Sequence, residues 1–275
     1  MIKYRDFLEQ TQQVNEIIAI DNNKENAKLA KKNSKSLTEQ QVIELLKSPK
    51  YSQAVENFSK SIAIFRGVLT DEKYFTINPK SFIRKSANTY NYATLFVDNN
   101  SMWKPFPKRS QSLICTQNIS QADDYGLSFV VFPENNSNIG ICPPEAEDFW
   151  FSFKHTMSID LDHFNIKIHN IAKTLDIYDT TSYAELIQLC SEIDKNQNTI
   201  QIKAMLEDLQ ENTKPKYKGD FLKYISEILT PTTFKHTKIS SLTRGLDEVW
   251  TDGECILVEH KQVANIMKQI LGDKF

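Results

Sequence analysis

The first 60 residues carry apolar side chains at helical spacing among many polar ones. Thr38, followed three residues later by Gln41, forms a capping-box pattern at a helix start. The apolar positions within 42–46 then recur as they do on one face of a helix. Because Pro49 restricts the residue before it, we expect this helix to end near Lys47. The pattern predicts an N-terminal helical segment over residues 1–60.

Between residues 61 and 153 the pattern changes to one typical of β-strands. Short apolar runs, rich in β-branched and aromatic residues, are bounded by Gly, Pro or Asn. These runs are Ile62–Phe65, Phe129–Phe132 and Ile139–Cys142. The segment Asn88–Lys108 is rich in Asn, aromatics and Pro without a clear period, and we expect a long ordered loop there.

Helical spacing returns between residues 158 and 229. Ser182 and Glu185 form a second capping box. Asp220 is placed to cap a further helix, and Pro231 is placed to stop it. This region is therefore predicted to be helical.

The last part of the chain returns to short apolar runs, at 248–251 and 254–258. Asp252-Gly253 between them is a typical signal for a hairpin with a type I′ turn, and a final helix is predicted over 261–271. The chain is thus predicted to be an α+β protein. Its β-rich core would span 61–157 and 231–275, and a helical insertion would span 158–230.

Composition limits the classes of function. The chain has 33 Lys and Arg against 35 Asp and Glu, a net charge of −2 that does not favour bulk binding of nucleic acid. It has only 7 Gly and lacks both GxGxxG and GxxxxGK[ST], which argues against a glycine-rich nucleotide fold. No stretch approaches the ~20 apolar residues of a membrane span, and the charged start is unlike a signal peptide. We expect a cytoplasmic protein without a membrane partner.

Metal-binding patterns are weak in this sequence. The four cysteines, Cys115, Cys142, Cys190 and Cys255, form no CxxC pair and have no His at ligand spacing, so we expect reduced thiols and no metal. The string from Asp160 to His163 has the form DxDH, which we interpret as a polar helix start or a loop rather than a metal site.

Three separated pieces of the sequence together resemble the Arg–Ser–Glu signature of ADP-ribosyltransferases. They are Phe65-Arg66-Gly67, the stretch Arg109–Thr116 followed by Ala122 and Tyr125-Gly126, and the stretch Glu248–Val258. The order of Trp103–Ser110, Phe129–Pro133, Gly140–Pro143 and Asp148–Trp150 is also similar to that of ADP-ribosyltransferase-like proteins of tailed phages and prophages. The resemblance covers roughly residues 60–153 and 240–260.

The resemblance implies a split β-sandwich core and an enzyme that uses NAD as substrate. It would transfer ADP-ribose to a macromolecular acceptor, protein or nucleic acid, and release nicotinamide. Two alternatives remain open: an NAD glycohydrolase, and a catalytically degenerate interaction or structural protein of phage or prophage origin. The expected location is the host cytoplasm or the virion, and the insertion at 158–230 is the expected place for a partner.

The same resemblance assigns roles to individual residues. Arg66, with Gly67 beside it, would hold the pyrophosphate or ribose, since a guanidinium offers a forked pair of donors. Arg109 would contact a phosphate or only a surface carboxylate. Ser110 and Ser112, alternating on a strand, would orient the ribose and the carboxylate. The alternative register for this serine motif is Cys115-Thr116-Gln117.

The catalytic glutamate is assigned to Glu248, because the family's glutamate opens a strand that runs into a tight turn and a last strand. Its carboxylate would stabilise the oxocarbenium-like transition state. Glu254, preceded by Asp252, is the alternative, and Glu145-Ala-Glu147 is a third candidate in a loop that follows two prolines. Tyr125, Phe149 and Trp150 are candidates for stacking on nicotinamide.

Overall fold

The structure is a computed structural model that describes residues 25–86, 89–146, 148–177, 180–211 and 213–272. The chain divides into two compact units. Unit 1 comprises the described residues within 1–28, 84–104 and 149–232, and unit 2 comprises 29–83, 105–148 and 233–275. The predicted insertion at 158–230 lies inside unit 1, and most of the predicted β-rich core lies in unit 2.

Unit 2 is built on a nine-stranded antiparallel sheet with the strand order β1-β3-β9-β5-β2-β4-β8-β6-β7. The strands are β1 Ser34–Ser36, β2 Phe65–Val68, β3 Tyr74–Ile77, β4 Leu113–Thr116, β5 Leu127–Pro133, β6 Asn138–Ile141, β7 Lys235–Lys238, β8 Glu248–Thr251 and β9 Cys255–Glu259. With the helices of both units, this sheet confirms the predicted α+β class.

Two neighbouring strands of the sheet pair over a much shorter length than the others. Strands β2 and β4 share a single residue pair, Phe65 with Thr116. By contrast, β4 pairs with β8 over four positions and β5 pairs with β9 over five. The hydrogen-bonded ladder is therefore one sheet rather than two separate ones, but it consists of a five-stranded and a four-stranded half joined at this junction.

Among the described residues, four α-helices lie wholly in unit 2: α1 Glu39–Lys47, α2 Ser52–Ser59, α4 Ile119–Asp123 and α10 His260–Leu271. A further described helical stretch, residues 25–32, belongs partly to each unit. Apolar residues of α1 and α10, such as Val42 and Met267, join the buried strand residues in one hydrophobic core. The predicted capping box is present, because the Thr38 hydroxyl accepts from the Gln41 amide and the Gln41 side chain accepts from the Thr38 amide. The helix ends at Lys47, as predicted.

Unit 1 is helical. Its helices are α3 Tyr92–Asn99, α5 Phe149–Met157, α6 Leu161–Thr174, α7 Tyr183–Asn196, α8 Ile200–Gln210 and α9 Phe221–Ile228. The second capping box, at Ser182 and Glu185, and the Asp220 cap are both confirmed. Asp160 caps α6 by accepting from the amides of Asp162 and His163, which confirms the helix start in the DxDH string.

Three predicted elements are wrong. The run Ile62–Phe65 contributes only Phe65 to a strand, because β2 begins there and continues to Val68. The segment 88–108, expected to be a loop, contains α3 and a 3₁₀ turn at Ser101–Trp103. The expected hairpin at Asp252-Gly253 is absent from the described strands, since β8 pairs with β4 and β6 whereas β9 pairs with β3 and β5. Neither of these two described turn residues has the positive φ that a type I′ turn requires.

In the part of the chain that the structure describes, every helix is too short or too polar to cross a membrane.

Candidate functional site

Arg66 and Glu248 lie on the two strands that flank β4. Glu248 opens β8 directly opposite Thr116 of β4, and Thr116 in turn lies opposite Phe65, the neighbour of Arg66 on β2. Burial raises the pKa of the Cys115 thiol, between them, to about 12; the Arg66 charge opposes this rise and the Glu248 charge adds to it. The junction of the sheet therefore brings both candidate residues around one short strand.

Glu248 forms an ion pair with Arg109. Nη1 of Arg109 lies 2.7 Å from Oε1 of Glu248, and the two side chains are only 5% and 12% exposed. The Cys142 thiol lies 3.6 Å from the same oxygen. Both contacts are long-range in sequence: the one with Arg109 depends on the pairing of β4 with β8, and the one with Cys142 on the pairing of β6 with β8. Of the two partners suggested for Arg109, a phosphate or a carboxylate, the structure provides a buried carboxylate.

Trp250 supports this ion pair from the same side of the sheet, since it stands two residues from Glu248 on one strand. The Arg109 guanidinium lies 5.0 Å from the Trp250 ring centroid. The indole N–H donates to the Pro107 carbonyl at 2.8 Å, and the Phe106 ring stacks on the indole. Gly140, directly opposite, leaves room for the ring, because a Cβ there would run into it.

Arg66 is half-buried, and its Nη1 donates to the Ile114 carbonyl at 3.0 Å. Because β2 and β4 share one residue pair, this side chain bridges the junction where a longer ladder would place backbone bonds. Gly67 is explained by packing: a Cβ there would meet the Ala122 carbonyl and the Tyr125 Cβ. The residues at the start of the resemblance therefore also hold the sheet and α4 together.

Ser110 and Ser112 are not placed as predicted. Ser110 lies in a 3₁₀ turn, Arg109–Gln111, and Ser112 caps the end of that turn before β4 begins. The Ser112 hydroxyl donates to the Lys108 carbonyl at 2.6 Å. The two serines therefore do not alternate on a strand. In the alternative triplet, Thr116 is the residue that lies opposite Glu248.

The other candidate glutamates lie elsewhere. Glu254 stands in the loop beyond the far end of β8, where its carboxylate is 2.7 Å from Lys50 and its amide donates to Glu134. It is not the cross-strand partner in a hairpin that its position predicted. Glu145 is exposed in the turn after the two prolines. Glu147 lies outside the described residues.

The aromatic candidates belong to two different units. Tyr125 is 65% exposed, just after α4. Phe149 and Trp150 belong to α5 of unit 1, where the Phe149 ring packs on Trp103 and Phe153. Phe149 is therefore a core residue of that unit. The sequence analysis did not predict the roles of Trp250, Phe106 and Cys142. Trp250 could have been found, because it stands two residues after Glu248 and a strand places such residues on the same face.

Within the described ranges, no group of three or more His, Cys, Asp or Glu side chains is arranged to hold a metal ion. All four cysteines are buried free thiols. No protein-family model, curated protein sequence or solved structure matches the chain.

Proposed function

We propose that the protein is an NAD-dependent ADP-ribosyltransferase that releases nicotinamide and transfers ADP-ribose to a macromolecular acceptor. The observation that carries the proposal is the placement of Arg66 on β2 and Glu248 on β8, the two strands that flank β4. The sequence resemblance pairs these two residues in function, although they are 182 positions apart by numbering (248 − 66).

The chemistry asks for one carboxylate and one cation. As the bond between ribose C1′ and the nicotinamide nitrogen breaks, its electron pair leaves with nicotinamide, and positive charge develops on the ribose. A Glu248 oxygen that accepts a hydrogen bond from a ribose hydroxyl stabilises that charge. The acceptor then attacks C1′ and loses its proton. The Glu248 carboxylate is largely buried but keeps 12% of its side chain exposed, and this remaining access suits the role.

The surroundings of Arg66 suit a dinucleotide. Among the described residues, one carbonyl accepts from its guanidinium, and the other donors of the fork remain for phosphate or ribose oxygens. A shallow depression lies directly beyond Gly67, lined by Val68, Leu69, Thr70, Asp71 and Leu127. Its apolar side chains fit a flat ring, and Tyr125 stands close to Gly67.

The proposal includes the ADP-ribosyltransferase fold, for which the resemblance implies a split sandwich; the α+β class of the structure is compatible with it. Recognition of the acceptor is assigned to the helices of unit 1, where the predicted insertion lies.

One observation favours a second candidate, a catalytically degenerate protein of the same fold. Glu248 is already paired with Arg109, and a neutralised carboxylate stabilises positive charge on a ribose less well. Hydrolysis of NAD, with water as acceptor, is the same chemistry with a different nucleophile.

The test is incubation of the purified protein with NAD labelled in the adenine ring, with and without bacterial lysate. We expect nicotinamide release and a labelled macromolecule, and digestion with protease or nuclease identifies its class. Release of nicotinamide with free ADP-ribose as the sole labelled product would identify a glycohydrolase. Binding of NAD without any release of nicotinamide would identify the degenerate protein. A protein that neither binds NAD nor releases nicotinamide would overturn the proposal.

A further inference from the structure

The Glu248 carboxylate is held in an asymmetric way. The Arg109 guanidinium, at 2.7 Å, and the Cys142 thiol, at 3.6 Å, both contact Oε1. Within the described part of the chain, no side chain or backbone group donates to Oε2. One oxygen of the carboxylate is therefore occupied by the protein, while the other is left for a group from outside it.

Arg109 itself has little freedom to move. The residue is 4% exposed, and its guanidinium lies over the Trp250 ring. Trp250 is fixed in turn by its hydrogen bond to Pro107, by the stacked Phe106 ring and by the lack of a side chain at Gly140. A planar guanidinium satisfies both the stack and the ion pair, which the compact ammonium of Lys cannot do.

We propose that Arg109 and Cys142 are positioning residues, which bind Oε1 of Glu248 and thereby present Oε2 to a ribose hydroxyl of the substrate. This inference rests on the proposed function. It replaces the phosphate contact considered for Arg109, because a buried guanidinium that is stacked and ion-paired does not reach a phosphate in solvent. Arg109 acts on the reaction through Glu248 and does not touch the substrate.

The experiment compares Arg109→Lys, Glu248→Gln and the double variant in nicotinamide release. Lys keeps the charge but loses the planar stack, and a misplaced carboxylate is expected to lower kcat by about tenfold to a hundredfold while KM for NAD stays nearly constant. In the Glu248→Gln background, the same Arg109→Lys change should have almost no further effect, because the group that it positions has lost its charge.

A phosphate ligand would behave differently. It would raise KM in both backgrounds, and this result would overturn the proposal. Unchanged kcat and KM in Arg109→Lys would overturn it as well, since the residue would then be only structural.

Cys142→Ala is a milder variant for the case that Arg109→Lys does not fold, with an expected loss in kcat of about two- to fivefold and no change in KM. A rise in KM or an unchanged kcat in Cys142→Ala would contradict its role.

A second measurement does not depend on NAD. The signal of the Arg109 Nη1 hydrogens is followed by nitrogen-15 NMR in the wild type, in Glu248→Gln and in Glu254→Gln. We expect Glu248→Gln to shift this signal and to speed its exchange with water, whereas Glu254→Gln leaves it unchanged. An Arg109 signal that ignores Glu248→Gln would overturn the positioning role. If the signal responds but the wild type neither binds nor cleaves NAD, the contact stands and the proposed function fails.

Discussion

Glu248, at the start of β8, and Glu254, in the loop after it, each form an ion pair 2.7 Å long, but in opposite surroundings. Glu248 and Arg109 are 12% and 5% exposed and pack beside Trp250. Glu254 and its partner Lys50 are 34% and 45% exposed, and Lys50 also lies 3.3 Å from Glu134. Six residues apart in sequence, the two glutamates thus differ in exposure: Glu248 lies in a largely buried ion pair, and Glu254 in one that is about one-third exposed or more.

The comparison shows what sets a candidate catalytic residue apart from an ordinary one. The two pairs have the same length, so distance does not separate them. Water screens Lys50 and Glu254 and reduces what their attraction contributes. The pair of Arg109 and Glu248 has lost most of its water, so each charge depends on the other. A change in the buried pair should therefore have large effects, and a matched change in the exposed pair small ones.

The largest difference is expected in stability. Arg109→Met leaves the buried Glu248 carboxylate without its cation, and breaking a buried pair from one side costs about 3–5 kcal/mol in the free energy of unfolding. Lys50→Met, in the exposed pair, should cost about 0–1 kcal/mol. Urea unfolding of both variants measures the two values. Equal losses would mean that burial does not distinguish the pairs.

The second difference concerns catalysis. Glu248→Gln keeps the shape of the side chain but removes its charge, and loss of one such electrostatic group lowers turnover by about 100–1000-fold. Affinity for NAD should stay nearly constant, because the charge acts mainly on the transition state. The matched variant, Glu254→Gln, should lose less than about tenfold, since an exposed charge at a distance is screened by water.

Nicotinamide release at saturating NAD, together with calorimetric titration of NAD, checks both variants. The reverse ranking of the two glutamates would assign catalysis to Glu254 and would place the strand alignment six residues away from the true one.

The local parts of this picture could be predicted from the sequence. The capping boxes at Thr38 and Ser182 depend on residues three positions apart, and both were predicted correctly. Helix α3 was missed for a physical reason. Its buried positions Tyr92, Ala93, Thr94, Phe96 and Val97 surround most of the helix, so the segment shows no amphipathic period.

The site itself depends on contacts between distant parts of the chain. Asp252-Gly253 has the local signature of a hairpin, yet the strands on either side of it pair in different halves of the sheet. The contact between Arg109 and Glu248 joins residues 139 positions apart. The resemblance suggested both of them as candidates, but only the structure shows that they form an ion pair.

Gly140 tests the support of Arg109 in the buried pair. In Gly140→Ala the new methyl group would overlap the Trp250 ring, and overpacking of this kind costs about 1–3 kcal/mol. The indole should shift away from Phe106, which near-ultraviolet circular dichroism detects. Gly245→Ala is the control, because a Cβ at Gly245 meets open space, and its cost of about 1 kcal/mol comes from the positive φ alone. An unchanged Trp250 signal in Gly140→Ala would contradict the packing described here.

The smallest expected effect is on the pH dependence of stability, to which Cys115, near Glu248, and Tyr51, near Glu254, contribute in different pH ranges. Burial raises the pKa of Cys115, near Glu248, from 9.0 to about 12, with the Arg66 charge opposing and the Glu248 charge adding to the rise. Burial and the charge of Glu254 raise the pKa of Tyr51 from 10.0 to about 12. In both cases the unfolded chain loses its proton first, so stability is present below the ordinary pKa and is lost as the pH rises towards 12.

Ionisation of Cys115 in the unfolded chain should lower the free energy of unfolding by about 1 kcal/mol between pH 9 and 10, before Tyr51 contributes much. Cys115→Ala should therefore flatten the loss of stability in this window, whereas Tyr51→Phe should flatten it only above pH 10. Urea midpoints at pH 8, 9, 10 and 11 test this order, and identical slopes for both variants below pH 10 would refute it.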